Sequence, residues 1–589
     1  MRFAGQYGYS FPAMPELPPL AARIRASLRG LTGLRWLAIA WIVVFWRLGY
    51  TSLLDPDEAH YAELTREMLR SGNWLVPLLD GKPFIDKPVL FHWLQGASVS
   101  LLGETEFAAR MPSAIAALAL FAVTRWVGIA LLGVEAGEWG AIMFATIPAT
   151  FALSSIGLFD MVFTAFLFGA IGCLLVAAKE QRPRVEQIGY LLLTLAVMTK
   201  GPVALLLVAA FCGAAWMCGG SLRAWISRLH WPQGLLVAAL AASPWFVWMH
   251  GRFGADFVQG YLLAGNLFYF TQPESFSSRA ISHVYYVRVF AGGFFPWSAI
   301  LVGRAIDLFR QRRFTSWQTE ERLLWLWAAV ILLFFSVARF KLDHYIFPAA
   351  PACCLIAARA WREAAQEADG AAGLAHQWLG TRAAALIVAA VLLIGGSFGS
   401  VALFQLNLDL PPSAIAFPIV LAIGGTALLY AASRVGWKMP PTPIAPVLTL
   451  LAAYVCIVTI GFPALELTRP TALVGKTLQR LTSSDTPVGI YRMEQWRASL
   501  RYYAERPVAR LSTPEDVVAF ISEARPVYLV MLRRDYRELR RRGVELREVF
   551  KCRAVVGTTR TRTGLRRQQW DDLIIVTDAP GRADRRRGE

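Results

Sequence analysis

The sequence is poor in cysteine and lacks a glycine-rich nucleotide-binding loop. Only seven cysteines occur among 589 residues, and six of them fall inside apolar stretches. Their spacing fits neither a disulfide framework nor a zinc site, which argues against a secreted disulfide scaffold and a zinc domain. The lack of a phosphate-binding loop and of an internal repeat argues against common transporter classes.

Charged residues are also scarce, and long apolar runs make up much of the chain. Only 17% of the residues are charged, whereas 56% are hydrophobic and the mean hydropathy is +0.44. Runs of about 18 apolar residues can cross a bilayer, where only helices and closed barrels satisfy their backbone groups. The sequence therefore predicts a polytopic α-helical membrane protein. Its thirteen predicted spans are 36–54, 112–132, 138–157, 161–178, 187–199, 201–219, 233–250, 290–309, 323–338, 345–361, 382–405, 414–433 and 443–463.

Acidic residues are few relative to basic ones, with 41 Asp and Glu against 59 Lys and Arg and a net charge of +18. The positions of the arginines favour a membrane explanation over nucleic-acid binding. Short basic connections follow the even-numbered spans, which places them and the N-terminal tail 1–35 in the cytoplasm. The tail lacks the pattern of a cleaved signal peptide. Connections after odd-numbered spans then face the opposite side, and two of them are long, 55–111 and 251–289.

The chain changes character after the last span, and the region 36–463 is predicted to be the membrane domain. Short apolar strands are predicted at 487–491, 507–511, 526–532 and 572–578, and helices at 494–506, 513–524 and 533–543. This alternation predicts a small α/β domain over 464–580, followed by a disordered end at 581–589. Because thirteen is an odd number, this domain lies on the same side as the long loops.

Lysine is rarer than arginine, and its positions indicate a ligand site. Only eight lysines occur, and four of them follow odd-numbered spans: Lys82, Lys87, Lys200 and Lys341. The positive-inside bias predicts the reverse, so lysines kept on the translocated side indicate an anionic ligand such as a phosphate. The alternative is ordinary ion pairing with neighbouring aspartates. The aspartates available for it are Asp80, Asp86, Asp160 and Asp343.

Two carboxylates share this side of the membrane, because Asp57 follows the first span and Asp160 the third. Residues 58–70 predict an amphipathic helix along the interface that begins next to Asp57. Helix capping explains one or two of the acidic residues at this start. A carboxylate beside a phosphate-binding cation suits group transfer. The carboxylate takes a proton from the acceptor hydroxyl, and the cation stabilises the departing phosphate.

The first long loop carries motifs of a known family. The stretch DPDEAHYAELTREMLRSGNWLVPLLDGKPFIDKPVLFHWLQ (55–95) resembles the first periplasmic loop of bacterial aminoarabinose transferases that modify lipid A. The stretches LFDMVFT, TKGP and KLDHYIFPAAP resemble the same family, which belongs to the GT-C glycosyltransferases, with protein O-mannosyltransferases as more distant relatives. The resemblance implies about thirteen membrane helices, amphipathic periplasmic loop helices and a C-terminal α/β domain. It also implies inverting transfer of a sugar from an undecaprenyl-phosphate-type donor.

The resemblance implies roles for individual residues. Asp57 matches the principal catalytic carboxylate and Asp160 a second one. Lys87 matches the lysine that contacts the donor phosphate, and Tyr345 a second phosphate or headgroup contact. Position alone adds further candidates on the same side. These are Arg339 and Lys341 for the donor phosphate, and Glu58, His60, Tyr61 and Lys200 for the substrate.

Three departures separate the sequence from the family pattern. His60 stands where the family has an arginine, Asp86 is a shorter acidic residue than usual, and AGNLFYF (264–270) lacks the histidine of a metal-associated stretch. A divalent metal therefore stays open as a cofactor, with Asp86 as its first candidate ligand. The acceptor stays open between a lipid A-like glycolipid, a protein and a polysaccharide.

The alternative from a different class is a transporter or flippase for a lipid-linked anion. Against it, the polar residues cluster at one face and no related half-sequences occur. For the enzyme we expect a monomer in the bacterial inner membrane, surrounded by membrane lipids, with its site facing the periplasm. Its expected partners are a polyprenyl-phosphate-linked sugar and a lipid or glycan acceptor, and no nucleic acid.

Overall fold

The computed structural model describes residues 35–46, 48–268, 284–311, 318–366, 378–405, 411–467, 469–523, 526–560 and 566–579. Three sequence predictions concern residues outside these ranges. They are the cytoplasmic tail up to residue 34, part of the second long loop at 269–283, and the disordered end at 581–589.

Helices fill most of the described chain, and every predicted span contains at least part of one. Up to the first break in the description they are α1 (Arg35–Phe45), α2 (Asp57–Ser71), α3 (Leu90–Leu102), α4 (Glu106–Leu132), α5 (Val134–Thr146), α6 (Pro148–Ser154), α7 (Phe159–Glu180), α8 (Pro183–Lys200), α9 (Val203–Met217), α10 (Gly220–Ile226) and α11 (Trp231–Phe257). The later ones are α12 (Tyr285–Gly293), α13 (Trp297–Arg310), α14 (Thr319–Val337), α15 (Ala350–Gln366), α16 (Leu379–Gln405), α17 (Ala416–Arg434), α18 (Ile444–Cys456) and α19 (Phe462–Leu467).

Six helical segments of the described chain are long and apolar enough to cross a membrane. They are Glu106–Leu132, Phe159–Glu180, Trp231–Gly265, Leu379–Leu403, Pro412–Arg434 and Ile444–Glu466. A seventh arises if α12 and α13, which meet at 111°, form one span. The chain is therefore a helical membrane protein, as predicted. Other predicted spans form short or interrupted helices. One interruption lies at Pro148, the first residue of α6, where the missing backbone N–H ends the helical hydrogen-bond pattern of α5.

Helices α7 and α8 form a close antiparallel hairpin that positions the site. Gly189 of α8 lies so near α7 that an added Cβ would stand 3.2 Å from the carbonyl oxygen of Ala170. Small residues allow such close approach of two helices in a membrane. As a consequence, the first turn of α7 and the last turn of α8 lie at the same end of the bundle.

The first long loop packs on the bundle through α2, which confirms the helix predicted at 58–70. The helix ends at Gly72, whose φ of 67° suits glycine at this position. The two-residue strands β1 (Leu78–Leu79) and β2 (Lys82–Pro83) form a small antiparallel pair before the chain enters α3.

A buried ion pair fixes the first turn of α2. The side chains of Glu58 and Arg110 are each 1% exposed, and Arg110 Nε lies 2.7 Å from Glu58 Oε1. Glu58 also accepts hydrogen bonds from the backbone N–H groups of Leu54 and Gly157. Arg110 donates further to three carbonyl oxygens of the preceding segment: Leu48, Thr51 and Ser52. The pair therefore joins α2, α4 and the turn before α7.

A five-stranded mixed sheet follows the last membrane helix. Its strands are β3 (Val488–Tyr491), β4 (Val508–Leu511), β5 (Tyr528–Leu532), β6 (Arg547–Arg560) and β7 (Arg566–Thr577), in the order β4-β3-β5-β7-β6. The first three are parallel, and β7 joins antiparallel to β5 and β6. Its helices are α20 (Thr471–Leu481), α21 (Arg497–Ala504), α22 (Pro514–Glu523) and α23 (Arg533–Arg541).

Four of these strands confirm the sequence prediction, whereas β6 and α20 were missed. Strand β6 begins REVFKCRAVV, where basic residues interrupt the apolar alternation that identifies a strand. It pairs along its whole length with β7. This pairing, rather than the residue pattern of β6 itself, therefore determines that the segment is a strand. Helix α20 lies between the last predicted span, which ends at residue 463, and the first predicted strand, in a segment for which no element was predicted.

We predict that Glu58→Gln strongly destabilises the protein. Glutamine keeps the size of the side chain but leaves the Arg110 charge buried without its counter-ion. Breaking a buried pair in this way costs about 3–5 kcal/mol. Thermal unfolding in detergent measures the effect, with the exposed Glu545→Gln as the matched control. Equal unfolding midpoints for the two variants would contradict the role of the pair.

Candidate active site

Asp160 and Lys200 form an ion pair at the end of the α7–α8 hairpin. Asp160 lies in the first turn of α7 and is 6% exposed. Lys200, the last residue of α8, donates a hydrogen bond to its Oδ1 atom. The Nε2 atom of His344 lies 3.6 Å from the same oxygen. The antiparallel hairpin thus joins two residues that the sequence separates by 40 positions.

A cavity of about 100 Å³ lies beside this pair. Its polar wall consists of Lys87, Asp160, Lys200, His344 and Tyr345. Its apolar wall consists of Phe163, Val203, Gly265, Phe335, Ala338, Phe340 and Pro348. A cationic wall facing an apolar wall suits an amphiphile with an anionic head.

Lys87 supplies a second cation from the first long loop. Its Nζ atom lies 2.9 Å from Asp86 Oδ2, and its side chain is 24% exposed. Pro88 follows directly and restricts the backbone of Lys87 to extended conformations. The loop therefore holds this lysine at the cavity wall while leaving part of the ammonium group accessible.

Asp57 stands at the start of α2, where its carboxylate is exposed at the mouth of the site. The surrounding protein partly removes the carboxylate from water, which raises the pKa of Asp57. The neighbouring Asp160 and Asp86 carboxylates raise this pKa further, whereas His344 and Lys87 lower it. A raised pKa makes the carboxylate a stronger base than an ordinary aspartate.

Aromatic rings enclose the Lys200 ammonium group on its apolar side. Its Nζ atom lies 5.3 Å from the ring centre of Phe163 and 5.6 Å from that of Tyr345. Tyr345 in turn packs on Phe335, with ring centres 5.2 Å apart. Cation–π contacts of this kind stabilise a lysine charge in apolar surroundings. They also place the Tyr345 side chain at the cavity, where the sequence predicted it.

Two predicted phosphate contacts lie outside the cavity wall. Lys341 is 6% exposed and donates a hydrogen bond to the carbonyl oxygen of Ala338. Arg339 is exposed and is absent from the lining of the cavity. This placement favours a role for Lys341 in shaping the turn after α14 rather than in contacting a phosphate.

The three predicted substrate contacts in α2 differ in their surroundings. Glu58 is engaged by Arg110, which favours a structural role instead of a substrate contact. Tyr61 packs edge-on against Phe159, with ring centres 4.7 Å apart. His60 packs against Phe84 at the same distance, and burial lowers the pKa of its ring.

His344 is the site residue for which the sequence indicated no role. It lines the cavity beside Asp160 and influences the charge state of Asp57. The signal was present in KLDHY, because His344 directly precedes Tyr345 in a stretch that had already been singled out. Sequence spacing alone did not reveal that its ring turns toward α7.

No group of three His, Cys, Asp or Glu side chains in the described ranges is arranged to hold a metal ion. The carboxylate of Asp86, the first candidate ligand, pairs instead with Lys87.

Comparisons with known proteins show which proteins the chain is similar to. Residues 86–248 match the family model described as dolichyl-phosphate-mannose-protein mannosyltransferase. An undecaprenyl phosphate-alpha-4-amino-4-deoxy-L-arabinose arabinosyl transferase of Sodalis glossinidius is 30% identical over 378 residues, which cover 61% of this chain and 65% of that protein. The corresponding enzyme of Erwinia tasmaniensis is 30% identical over 318 residues, covering 52% and 55%. The matched region thus spans between about half and two thirds of these relatives.

Two solved structures are similar in fold to most of the chain. ArnT from Cupriavidus metallidurans, solved bound to undecaprenyl phosphate, has a TM-score of 0.69 and 19% identity, covering 94% of this chain and 99% of that one. The oligosaccharyltransferase AglB from Archaeoglobus fulgidus, solved with an inhibitory peptide and a dolichol-phosphate, has a TM-score of 0.50 and 12% identity, covering 93% and 74%. These findings confirm the resemblance to the aminoarabinose transferases that the loop motifs indicated, and the chain has the fold of ArnT.

Proposed function

We propose that the protein is an inverting glycosyltransferase of the inner bacterial membrane. It transfers a sugar from a polyprenyl-phosphate donor to a hydroxyl or phosphate of a lipid A-like acceptor at the periplasmic face. The observation that carries this proposal is the convergence of Lys87, Lys200, His344 and Tyr345 on one amphiphilic cavity, with Asp57 at its mouth. The likeness to enzymes named for undecaprenyl-phosphate-linked aminoarabinose supports it.

The donor phosphate binds in the cavity, where Lys87 and Tyr345 contact its oxygens. An acceptor hydroxyl attacks the anomeric carbon from the opposite side. A new carbon–oxygen bond forms while the bond between this carbon and the phosphate oxygen breaks. Asp57 takes the proton of the hydroxyl, and the cations stabilise the charge on the departing lipid phosphate.

Asp160 has a supporting role in this scheme. Its carboxylate holds Lys200 and attracts His344, so that both side chains face the cavity. Its negative charge also keeps the pKa of Asp57 raised. Asp160 therefore acts on the donor site and on the base without taking the proton itself.

The predicted organisation supports a site on the periplasmic side. Thirteen passes over 36–463 place the first long loop and the region 464–580 on the same face, opposite the basic connections. The contacts between the first long loop and α21 are consistent with this, since Ser499 of α21 donates hydrogen bonds to Asp55. We assign the region 464–580 to a periplasmic α/β domain. We also propose that the protein is a monomer.

A second acceptor class is favoured by one observation. The model that matches residues 86–248 is named for transfer of mannose to proteins, and this range includes Lys87, Asp160 and Lys200. A protein hydroxyl in place of a glycolipid would use the same base and the same donor cavity.

We predict that Asp57→Asn lowers sugar transfer by a factor of about 10² to 10⁴, because an amide cannot accept the proton. Transfer from a radiolabelled undecaprenyl-phosphate sugar to lipid A in detergent measures the effect. The exposed Asp485→Asn is the matched control and is expected to retain activity. Unchanged transfer by the Asp57 variant would exclude this residue as the base.

We predict that Lys87→Ala raises the donor KM by about tenfold, because a charge-assisted contact to phosphate is lost. The same variant removes a positive charge that lowers the pKa of Asp57, so this pKa rises further. Asp57 accepts a proton only when it is ionised. The acidic limb of the kcat/KM profile therefore moves to higher pH.

Lys82→Ala is the matched control for this measurement, because Lys82 is an exposed lysine of the same loop that does not line the cavity. It is expected to change neither the donor KM nor the acidic limb. An unchanged donor KM in the Lys87 variant, or an acidic limb that moves to lower pH, would contradict the assignment.

A further inference from the structure

A separate cavity of about 390 Å³, called the basic pocket below, lies where the start of α5, the end of α15 and the turn between α17 and α18 meet. Its polar wall consists of Glu135, Arg362, Gln366 and Lys438. Its apolar wall consists of Ala365, Val435, Met439 and Pro441. None of these residues lines the donor cavity.

The basic pocket lies far from the candidate active site. Helix α15 begins at Ala350, shortly after the cavity residue Tyr345, and ends at Gln366 in the wall of the pocket. Its 17 residues rise by 1.5 Å each, so its two ends are about 25 Å apart. The wall segments follow the predicted spans 2, 10 and 12, whose connections are predicted to face the cytoplasm.

Close packing fixes the three walls relative to one another. Gly140 of α5 lies so near α15 that an added Cβ would stand 3.0 Å from the Cα atom of Leu355. The buried indole N–H of Trp361, in α15, donates a hydrogen bond of 2.9 Å to the carbonyl oxygen of Pro440 in the turn before α18. The pocket is therefore held open by the fold itself, as preformed ligand sites are.

Arg362 brings an unsatisfied donor to this pocket. Its Nε atom is buried and has no hydrogen-bond partner among the described residues, which is rare in folded proteins. The neighbouring carboxylate of Glu363 is engaged elsewhere, by Arg304 at 2.8 Å and Arg359 at 2.7 Å. An added Cβ at Gly133 would stand 3.7 Å from Nη1 of Arg362, so the guanidinium lies against the turn before α5. This arrangement indicates a ligand with acceptor oxygens.

The charges of the walls define that ligand further. Arg362 and Lys438 carry two positive charges against the single negative charge of Glu135. A phosphodiester has one negative charge and offers oxygens to both cations. The carboxylate of Glu135 and the amide oxygen of Gln366 can accept hydrogen bonds from hydroxyl groups. The walls therefore suit a phosphodiester that carries hydroxyls.

The surroundings of the pocket favour a lipid headgroup as the source of this phosphodiester. Trp437, which directly precedes Lys438, is 61% exposed. Tryptophan is enriched where a membrane meets water, which is the depth of the headgroups. The volume is more than ten times the ~30 Å³ that one water occupies in the liquid, so a whole headgroup has room. Basic pockets between membrane helices bind anionic headgroups in this way.

We propose that the basic pocket binds the headgroup of an anionic phospholipid of the phosphatidylglycerol type. Arg362 and Lys438 contact the phosphate, whereas Glu135 and Gln366 accept hydrogen bonds from the glycerol hydroxyls. Such a lipid bridges α5, α15 and the turn before α18 at the end of the bundle that lies away from the donor cavity. The proposal concerns lipid binding alone and stands independently of the proposed function.

The test compares phosphatidylglycerol binding by Arg362→Ala and Lys438→Ala variants of the full chain, with native mass spectrometry in detergent giving the Kd. We expect each variant to raise the Kd by about tenfold, because a charge-assisted hydrogen bond to phosphate is lost. Lys438 is exposed, so its replacement is expected to leave the fold intact even if that of Arg362 does not.

Arg434→Ala is the matched control, because Arg434 is an exposed basic residue in the last turn of α17 that does not line the pocket. Its Kd is expected to stay within about twofold of the wild type. An unchanged Kd in the Lys438 variant would overturn the proposal. So would an equal loss in the Arg434 variant, which would reveal general attraction to basic residues, or a wild-type chain that binds no phosphatidylglycerol.

Two further probes test the ligand class on the wild-type chain. Phosphatidylethanolamine, whose headgroup has no net charge, is expected to bind at least about tenfold more weakly. Glycerol 3-phosphate, which lacks acyl chains, is expected to bind at least about a hundredfold more weakly, because the apolar contacts of the chains are lost. Equal affinity for the two lipids would overturn the anionic class. Glycerol 3-phosphate that binds as tightly as phosphatidylglycerol would overturn the lipid as the source of the phosphate.

Discussion

The buried contact between Glu58 and Arg110 holds the candidate base in place. Glu58 directly follows Asp57, so the contact orients the first turn of α2 against α4 and the turn before α7. A second support comes from α21, where Ser499 donates two hydrogen bonds to Asp55 and the Tyr503 hydroxyl accepts one from Leu53. Asp57 is therefore clamped from both sides while its own carboxylate remains accessible. Preorganisation of this kind is what a positioned catalytic group requires.

Opposite charges at the site compensate one another in ion pairs, and they also have opposing effects on the pKa of Asp57. Lys200 pairs with Asp160 and Lys87 with Asp86, and this pairing stabilises the two lysine charges next to apolar helices. The pairs leave a mixed field at Asp57, where carboxylates raise the pKa and cations lower it. A phosphate entering the cavity would add negative charge close to the base. That charge raises the pKa of Asp57 further, so the base strengthens when the donor is bound.

Sequence reasoning predicted the helical membrane fold and selected several residues that line the candidate site, because both depend on local patterns. Apolar runs located the helices. The unusual side of the membrane selected four lysines as indicators of an anionic ligand, of which Lys87 and Lys200 line the cavity whereas Lys82 and Lys341 do not. Sequence reasoning did not predict contacts between residues that lie far apart in the chain. The pairing of Asp55 with Ser499 spans 444 positions, and Glu58 looked like a substrate contact until its partner Arg110 was seen. The number of membrane passes stays a prediction, because apolar runs that form short or broken helices resemble complete spans in the sequence.

We propose that one cavity beside Asp57 binds the phosphate of a polyprenyl lipid. A cryo-electron microscopy map of the chain with undecaprenyl phosphate tests it most directly. We predict density for the phosphate within hydrogen-bond distance of the Lys87 ammonium group and the Tyr345 hydroxyl, with the lipid chain leaving past Phe335. A phosphate bound away from both residues, with this cavity empty, would contradict the account.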